Sequence, residues 1–214
     1  MNQMRRAGAI LLVVLSSQVT NGQSPCSRGT RYRNCKACGA ATGTKAQTLN
    51  VQKNRDAKAT HPQRITVEEI RDPDNDGKFK PSNQVWVTGY VAAVGPGGSR
   101  ESCNCKRSNL RDVHINIVAD PQEAGDETKY VVVEFTPRWE KKFNFDDSDY
   151  NAMLQAVKDE IEHKWVRFEG WMLYDYFHAA ASESIHPGKA GNWRATPWEV
   201  HPVTAYSVAT GPPQ

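Results

Sequence analysis

Between Val85 and Val208 the chain changes its apolar period twice, and this limits its fold more than any other feature. The stretch "VWVTGYVAAV" alternates, with Val85, Val87, Gly89 and Val91 on one face and Trp86, Thr88 and Tyr90 on the other. Period-two alternation marks a strand with one face in a core. After a Gly-Pro-Gly-Gly break, "DVHINIV" places Val113, Ile115 and Ile117 inward and Asp112, His114 and Asn116 outward. "YVVVEFTP" is a third strand, with Val131, Val133 and Phe135 inward and Glu134 outward. The period then becomes helical. Met153, Leu154, Val157 and Ile161 form one stripe, behind a capping residue among Asp146, Asp147 and Ser148. "KWVRFEGWMLYD" returns to alternation, with Val166, Phe168 and Met172 opposite Arg167, Glu169, Trp171 and Asp175. "WRATPWEVHPVTAYSV" closes as a fifth strand, whose Pro197 and Pro202 confine it to edge-like or bulged ladder positions.

Three strands, one helix and two strands is the order of an OB-fold, a five-stranded Greek-key barrel. The expected fold is therefore mainly β with one helix, over residues 65–208, with an unclosed α+β sheet as the alternative. Such barrels host many functions, so the fold alone assigns none.

The flanking segments read differently. Residues 1–23 have the layout of a secretory signal peptide: Arg5 and Arg6, the short apolar core "AGAILLVVL", then polar residues. That core is too short to span a bilayer, and no transmembrane anchor is expected. The expected location is exported, periplasmic or secreted. Residues 24–64 read as a flexible, basic, Cys-containing arm, and residues 209–214 as a disordered tail. Residues 1–60 hold ten Lys and Arg but one acid, Asp56, leaving 17 bases and 23 acids beyond. An arm of that charge suits nucleic acid or another anionic polymer as partner, or serves as a linker.

Five cysteines in an exported chain point to disulfides. Cys35 with Cys38 and Cys103 with Cys105 form two close pairs, and Cys26 is left over. A bridge between the pairs would staple the arm to the domain. Four thiolates around zinc is the competing arrangement. A D-x-D-x-D-G run at Asp72, Asp74, Asp76 and Gly77 reads as a turn, because Asn83 stands where a calcium loop needs a bidentate Glu.

The motifs "DVHI", "VVVE", "GWMLYDYFH" and "WEVHPV", in this order, resemble those of an uncharacterised group of small exported bacterial OB-fold-like proteins. The resemblance covers Val85 to Val208. It implies a fold and a set of positions, not an activity: Asp112, His114, Glu134, Asp175, His178, Glu199 and His201.

In an OB barrel the third strand lies between the second and the fifth, so the outward positions of all three share a face. Parity places Asp112, His114, Glu134, Glu199 and His201 there together. The expected metal ligands are His114, Glu134, His178 and His201, supported by Asp112, Asp175 and Glu199, with zinc or manganese as the ion. A metal-free polar network and ordinary outer-face polarity are the other readings the pattern leaves open. Trp86, Tyr90 and Trp171 face outward and are expected to stack on a ligand, with Arg138, Arg167 and Arg194 as anion contacts. The leading expectation is an exported ligand-binding protein with a His/carboxylate metal site. A metal-dependent hydrolase, such as a phosphodiesterase or nuclease, and a non-catalytic structural envelope protein are the alternatives.

Overall fold

The computed structural model describes residues 24–146 and 148–212. The leader expected over residues 1–23 lies outside them. In chain order the elements are α1 (Thr44–Lys53), β1 (Gln63–Arg64), α2 (Val67–Arg71), β2 (Gln84–Pro96), β3 (Val113–Val118), β4 (Val131–Phe135), α3 (Pro137–Glu140), α4 (Tyr150–Ile161), β5 (Trp165–Tyr174) and β6 (Trp198–Val208), joined by short 3-10 turns.

Strands β2 to β6 close on themselves. The order is β2-β3-β4-β6-β5, and β5 pairs back to β2, while β1 adds two residues parallel to β2 outside the closed ring. The β4–β6 pair is parallel and the other barrel pairs are antiparallel. This is the mixed five-stranded, OB-fold-like barrel that the apolar period predicts. An unclosed sheet is excluded by the β2–β5 ladder, which runs from Gln84↔Trp171 to Tyr90↔Trp165.

The interior is filled by the inward positions read from the sequence. Val85, Val87, Val91, Val113, Ile115, Ile117, Val131, Val133, Phe135, Val166, Phe168, Met172 and Val200 belong to one buried cluster. Helix α4 adds Met153, Val157 and Ile161 to it. Asp149, rather than Asp146, Asp147 or Ser148, caps this helix, its carboxylate accepting from the amides of Asn151 and Ala152. Pro202 does interrupt a ladder. Val200 pairs with Met172 and Val203 with Gly170, so His201 and Pro202 together oppose Trp171. This bulge re-phases β6, so that Val203 points inward after Trp198 and Val200. Gly170 fits there because a Cβ would collide with the Pro202 carbonyl.

Two expectations are corrected. The described residues hold several helices, not one. Helix α2 carries a full capping box between Thr66 and Glu69 in a stretch too short to show a period. Helix α1 lies in the segment expected to be a flexible arm. That segment instead packs onto the barrel: Cys35, Cys38, Leu49, Asn50, Lys53, Asn54 and Ala59 are buried. Its hold is largely polar, which is why composition suggested disorder. Asn54 donates to the carbonyls of Ala37 and Cys103, Asn50 to that of Cys38, and the Ala59 amide to Thr204 Oγ1.

The disulfides complete the attachment. Cys35 bridges to Cys105, the expected staple between segment and domain, whereas Cys38 bridges to Cys26. Cys103, expected in a disulfide, is the free and buried cysteine. Sequence spacing cannot give connectivity. With four sulfurs in disulfides, the four-thiolate zinc arrangement does not form.

Candidate metal centre

The outer face of β3, β4 and β6 gathers the acids and imidazoles that parity placed there. Direct cross-strand pairing sets His114 opposite Glu134, and parallel pairing sets Glu199 beside Val132. Glu134 then bridges two rings: Oε1 lies 3.0 Å from His114 Nε2 and Oε2 lies 2.9 Å from His201 Nδ1. His201 Nδ1 is also 3.1 Å from Glu199 Oε1, and Arg194 holds the other Glu199 oxygen at 2.7 Å. His201 Nε2 turns toward Asp112 Oδ2 at 4.0 Å.

This face is not solvent-facing. Asp112, Glu134, Glu199 and His201 are all buried, under the N-terminal segment and the loops before β3 and β6. One signal for this stood in the sequence. Val132 occupies an outward position of "VVVE", and a strand apolar on both faces is one covered on both faces.

His178 joins a neighbouring part of the network. Its Nδ1 lies 3.0 Å from Asp175 Oδ2, and the same oxygen takes Lys53 Nζ at 2.6 Å. Trp193 connects the two parts: its ring stacks on His114 at 6.5 Å and meets His178 edge-on at 5.3 Å. His178 is thus brought to the edge of the face but belongs to neither group of donors that could hold an ion.

Residues that sequence reasoning did not place here complete the site. Lys53 comes from α1, with 6% of its side chain exposed. Glu101 and Cys103 come from the loop before β3. Cys103 Sγ lies 3.3 Å from Glu101 Oε2 and 3.9 Å from Asp112 Oδ2. A cavity of about 250 Å³ opens onto Lys53, Glu101, Cys103, Asp175 and His178. A second cavity of about 460 Å³, lined by Arg64, Lys78 and Phe79 among others, lies beside β1, and none of the buried acids and imidazoles reach it.

Burial and charge act against each other throughout. Burial opposes protonation of the imidazoles, but the Glu134 carboxylate outweighs it, raising His114 to about 9 and His201 to about 10. Burial would raise Glu134 as well, yet the two imidazoles hold it well below the usual carboxylate range. Burial and then Glu101 push Asp112 up to about 7. Burial, followed by Asp112, raises the Cys103 thiol well above its ordinary value. Burial opposes the Lys53 ammonium, but Glu134, Glu199 and Asp175 outweigh it and keep that group charged.

Among the described residues, two donor groups can hold a divalent cation: Glu101, Cys103 and Asp112, and Asp112, Glu134 and His201. Within each, one ligand atom per residue lies within 4.8 Å of the others, and Asp112 belongs to both. The donor chemistry fits. Asp112 Oδ1 and His201 Nε2 are buried without a hydrogen-bond partner. His201 Nδ1 faces carboxylates, which would orient the ring while a metal took the place of the proton on Nε2, the usual arrangement of a metal-binding histidine.

The expected stacking residues sit elsewhere. Trp86 carries the Arg167 guanidinium 4.1 Å over its ring, Trp171 carries Arg55 at 4.8 Å, and Tyr90 packs edge-on against Trp165. The expected anion contacts have partners within the chain. Arg194 pairs with Glu199, Arg167 with Glu169, and Arg138 donates to Asn54 and Thr30.

No family model matches the sequence, and no curated protein matches it. The group of exported proteins that the motifs resemble is therefore not shown as this chain's family. Among solved structures, an OBody bound to hen egg-white lysozyme aligns over 70% of this chain and 97% of that chain, at 13% identity and a TM-score of 0.33. A likeness at that level carries no argument; the barrel assignment rests on the strand order above. Among the described residues no helix is long and apolar enough to cross a membrane.

Proposed function

We propose that this is an exported ligand-binding protein whose ligand centre is a divalent metal held on the covered face of the barrel. Asp112 and His201 are its principal ligands, with Glu134 on one side and Glu101 and Cys103 on the other. One observation carries the reading: two buried ligand atoms, Asp112 Oδ1 and His201 Nε2, lack partners within a cluster of donors. Unpartnered buried polar atoms are costly, and a cation would satisfy both. Thiolate, imidazole and carboxylate together suit zinc better than manganese. The signal-like leader and the two disulfides support export. Binding, rather than a reaction, is what the donor geometry supports.

The test is a zinc titration of the metal-stripped protein by calorimetry. Tight binding at one ion per chain, weakened at least tenfold in both Asp112→Asn and His201→Gln, is the expected result. Equal binding by the wild type and both variants would place any ion elsewhere.

A metal-free charge network is the second reading, favoured by the cations already present. Lys53, Arg194 and the two imidazoles face Asp112, Glu134, Asp175 and Glu199, so that opposite charges balance across the face. Under that reading the face fixes the N-terminal segment in place and zinc does not bind.

A further inference from the structure

Lys53 brings a positive charge into a site proposed to hold a metal. It is the last residue of α1, and the Cys35–Cys105 bridge ties the segment that delivers it to the loop carrying Glu101 and Cys103. Its ammonium contacts buried Asp175 at 2.6 Å and lines the same cavity as Glu101 and Cys103. Asn50 and Asn54, one on α1 and one just beyond it, fix the helix through Ser102 Oγ and the Cys103 carbonyl. The lysine is therefore held in place rather than drifting at a surface. Glu134 and Glu199 are close enough to stabilise its charge, and the field of the ammonium acts on Asp112 and His201 as well. Like charges in a buried, poorly screened site repel strongly.

We infer that Lys53 is a resident cation that competes with the metal for the carboxylates of this face, so that the N-terminal segment sets the affinity of the centre. The inference rests on the metal reading above. It assigns to α1 a role beyond covering the barrel: it supplies the charge that stabilises the metal-free face, and a metal that enters takes over the carboxylates that hold this charge. Lys53 is a positioning and affinity-setting residue, not a ligand.

The experiment compares the wild type, Lys53→Met and Lys53→Arg by zinc titration against a competing chelator, with thermal melts to verify folding. Lys53→Met should bind zinc at least tenfold more tightly than wild type, and Lys53→Arg, which keeps the charge, should stay within about threefold of it. Zinc bound by Lys53→Met but not by wild type would support the inference in its strongest form. Zinc bound equally or more weakly by Lys53→Met would overturn the inference while leaving the metal centre standing. Zinc bound by neither protein would overturn both. Should Lys53→Met fail to fold, the wild type alone decides: acetylation of Lys53, followed by mass spectrometry, should speed up when zinc is added. An unchanged or slower rate would overturn the inference.

Discussion

Strand β4 and the first part of β6 bury both of their faces, and the two faces are built on opposite principles. Toward the interior, Val113, Ile115, Val133, Phe135, Phe168 and Val200 pack without a polar atom among their side chains. Toward the N-terminal segment, the intervening positions Asp112, Glu134, Glu199 and His201 are as deeply buried and carry charge. The interior gains from removing apolar surface from water, and its residues are interchangeable within limits of volume and shape. The outer face must desolvate every charge, so its stability depends on each group keeping its partner. Strands can present such a face only beneath a cover. This explains why a polar, glycine-containing segment, closed on itself by the Cys26–Cys38 bridge, is anchored by the Cys35–Cys105 disulfide and side-chain amides rather than by an apolar stripe.

Mutation should separate the two faces. Phe168→Ala empties interior space that no neighbour can refill, and should cost about 3–5 kcal/mol in chemical denaturation, leaving zinc affinity within about twofold if the protein is assayed while folded. Arg194→Met leaves the buried Glu199 Oε2 without its guanidinium, with His201 beside the other oxygen, at a cost of about 3–5 kcal/mol. Here the faces part company: adding Glu199→Leu to Arg194→Met should restore most of the loss, because a buried ion pair can be replaced by apolar groups of similar size. A double variant no more stable than Arg194→Met would mean that the pair is needed for packing as well as charge.

Cys35→Ser tests the cover itself. It opens the bridge to Cys105, a separation of 70 residues, and should cost about 2–4 kcal/mol. Hydrogen exchange should rise in residues 24–60 before it rises in the β3 and β4 amides. Simultaneous loss of protection in both would show that cover and barrel unfold as one unit.

Parity along the strands was legible in the sequence because Val113, Ile115 and Ile117 leave His114 no side but the other one. The pairing of His114 and His201 through Glu134 followed from the OB strand order. Coverage of that face was harder to see. The buried side of α1 and its C-cap consists of Leu49, Asn50, Lys53 and Asn54, and three of those four residues are of types that ordinarily lie at surfaces. Lys53 was hidden for the same reason, as one base among the ten of residues 1–60. Cys103 was misplaced because pairing depends on how loops approach in space, and Cys38 is bridged to Cys26.

A gradual effect should come from pH. In the metal-free protein the folded-state values of His114 and His201, about 9 and about 10, exceed the unfolded value near 6.5. Their contribution is complete below about pH 6.5 and is lost as pH rises through the folded values. Denaturation midpoints should therefore fall on the alkaline side, no more steeply than about 1.4 kcal/mol per pH unit for each imidazole. Glu134→Gln, which removes the shared carboxylate, should flatten that slope, whereas Phe168→Ala should keep it. A slope unchanged in Glu134→Gln would detach these histidines from the stability of the face.

The most direct test of the account is anomalous diffraction at the zinc edge from crystals of the zinc-loaded protein. The account predicts a peak on the covered face of β3, β4 and β6, about 2.0–2.2 Å from His201 Nε2 and from an Asp112 oxygen. A map with no peak on that face, or with zinc bound only at surface residues while Asp112 and His201 keep their present separation, would contradict it and leave the metal-free charge network as the function of this face.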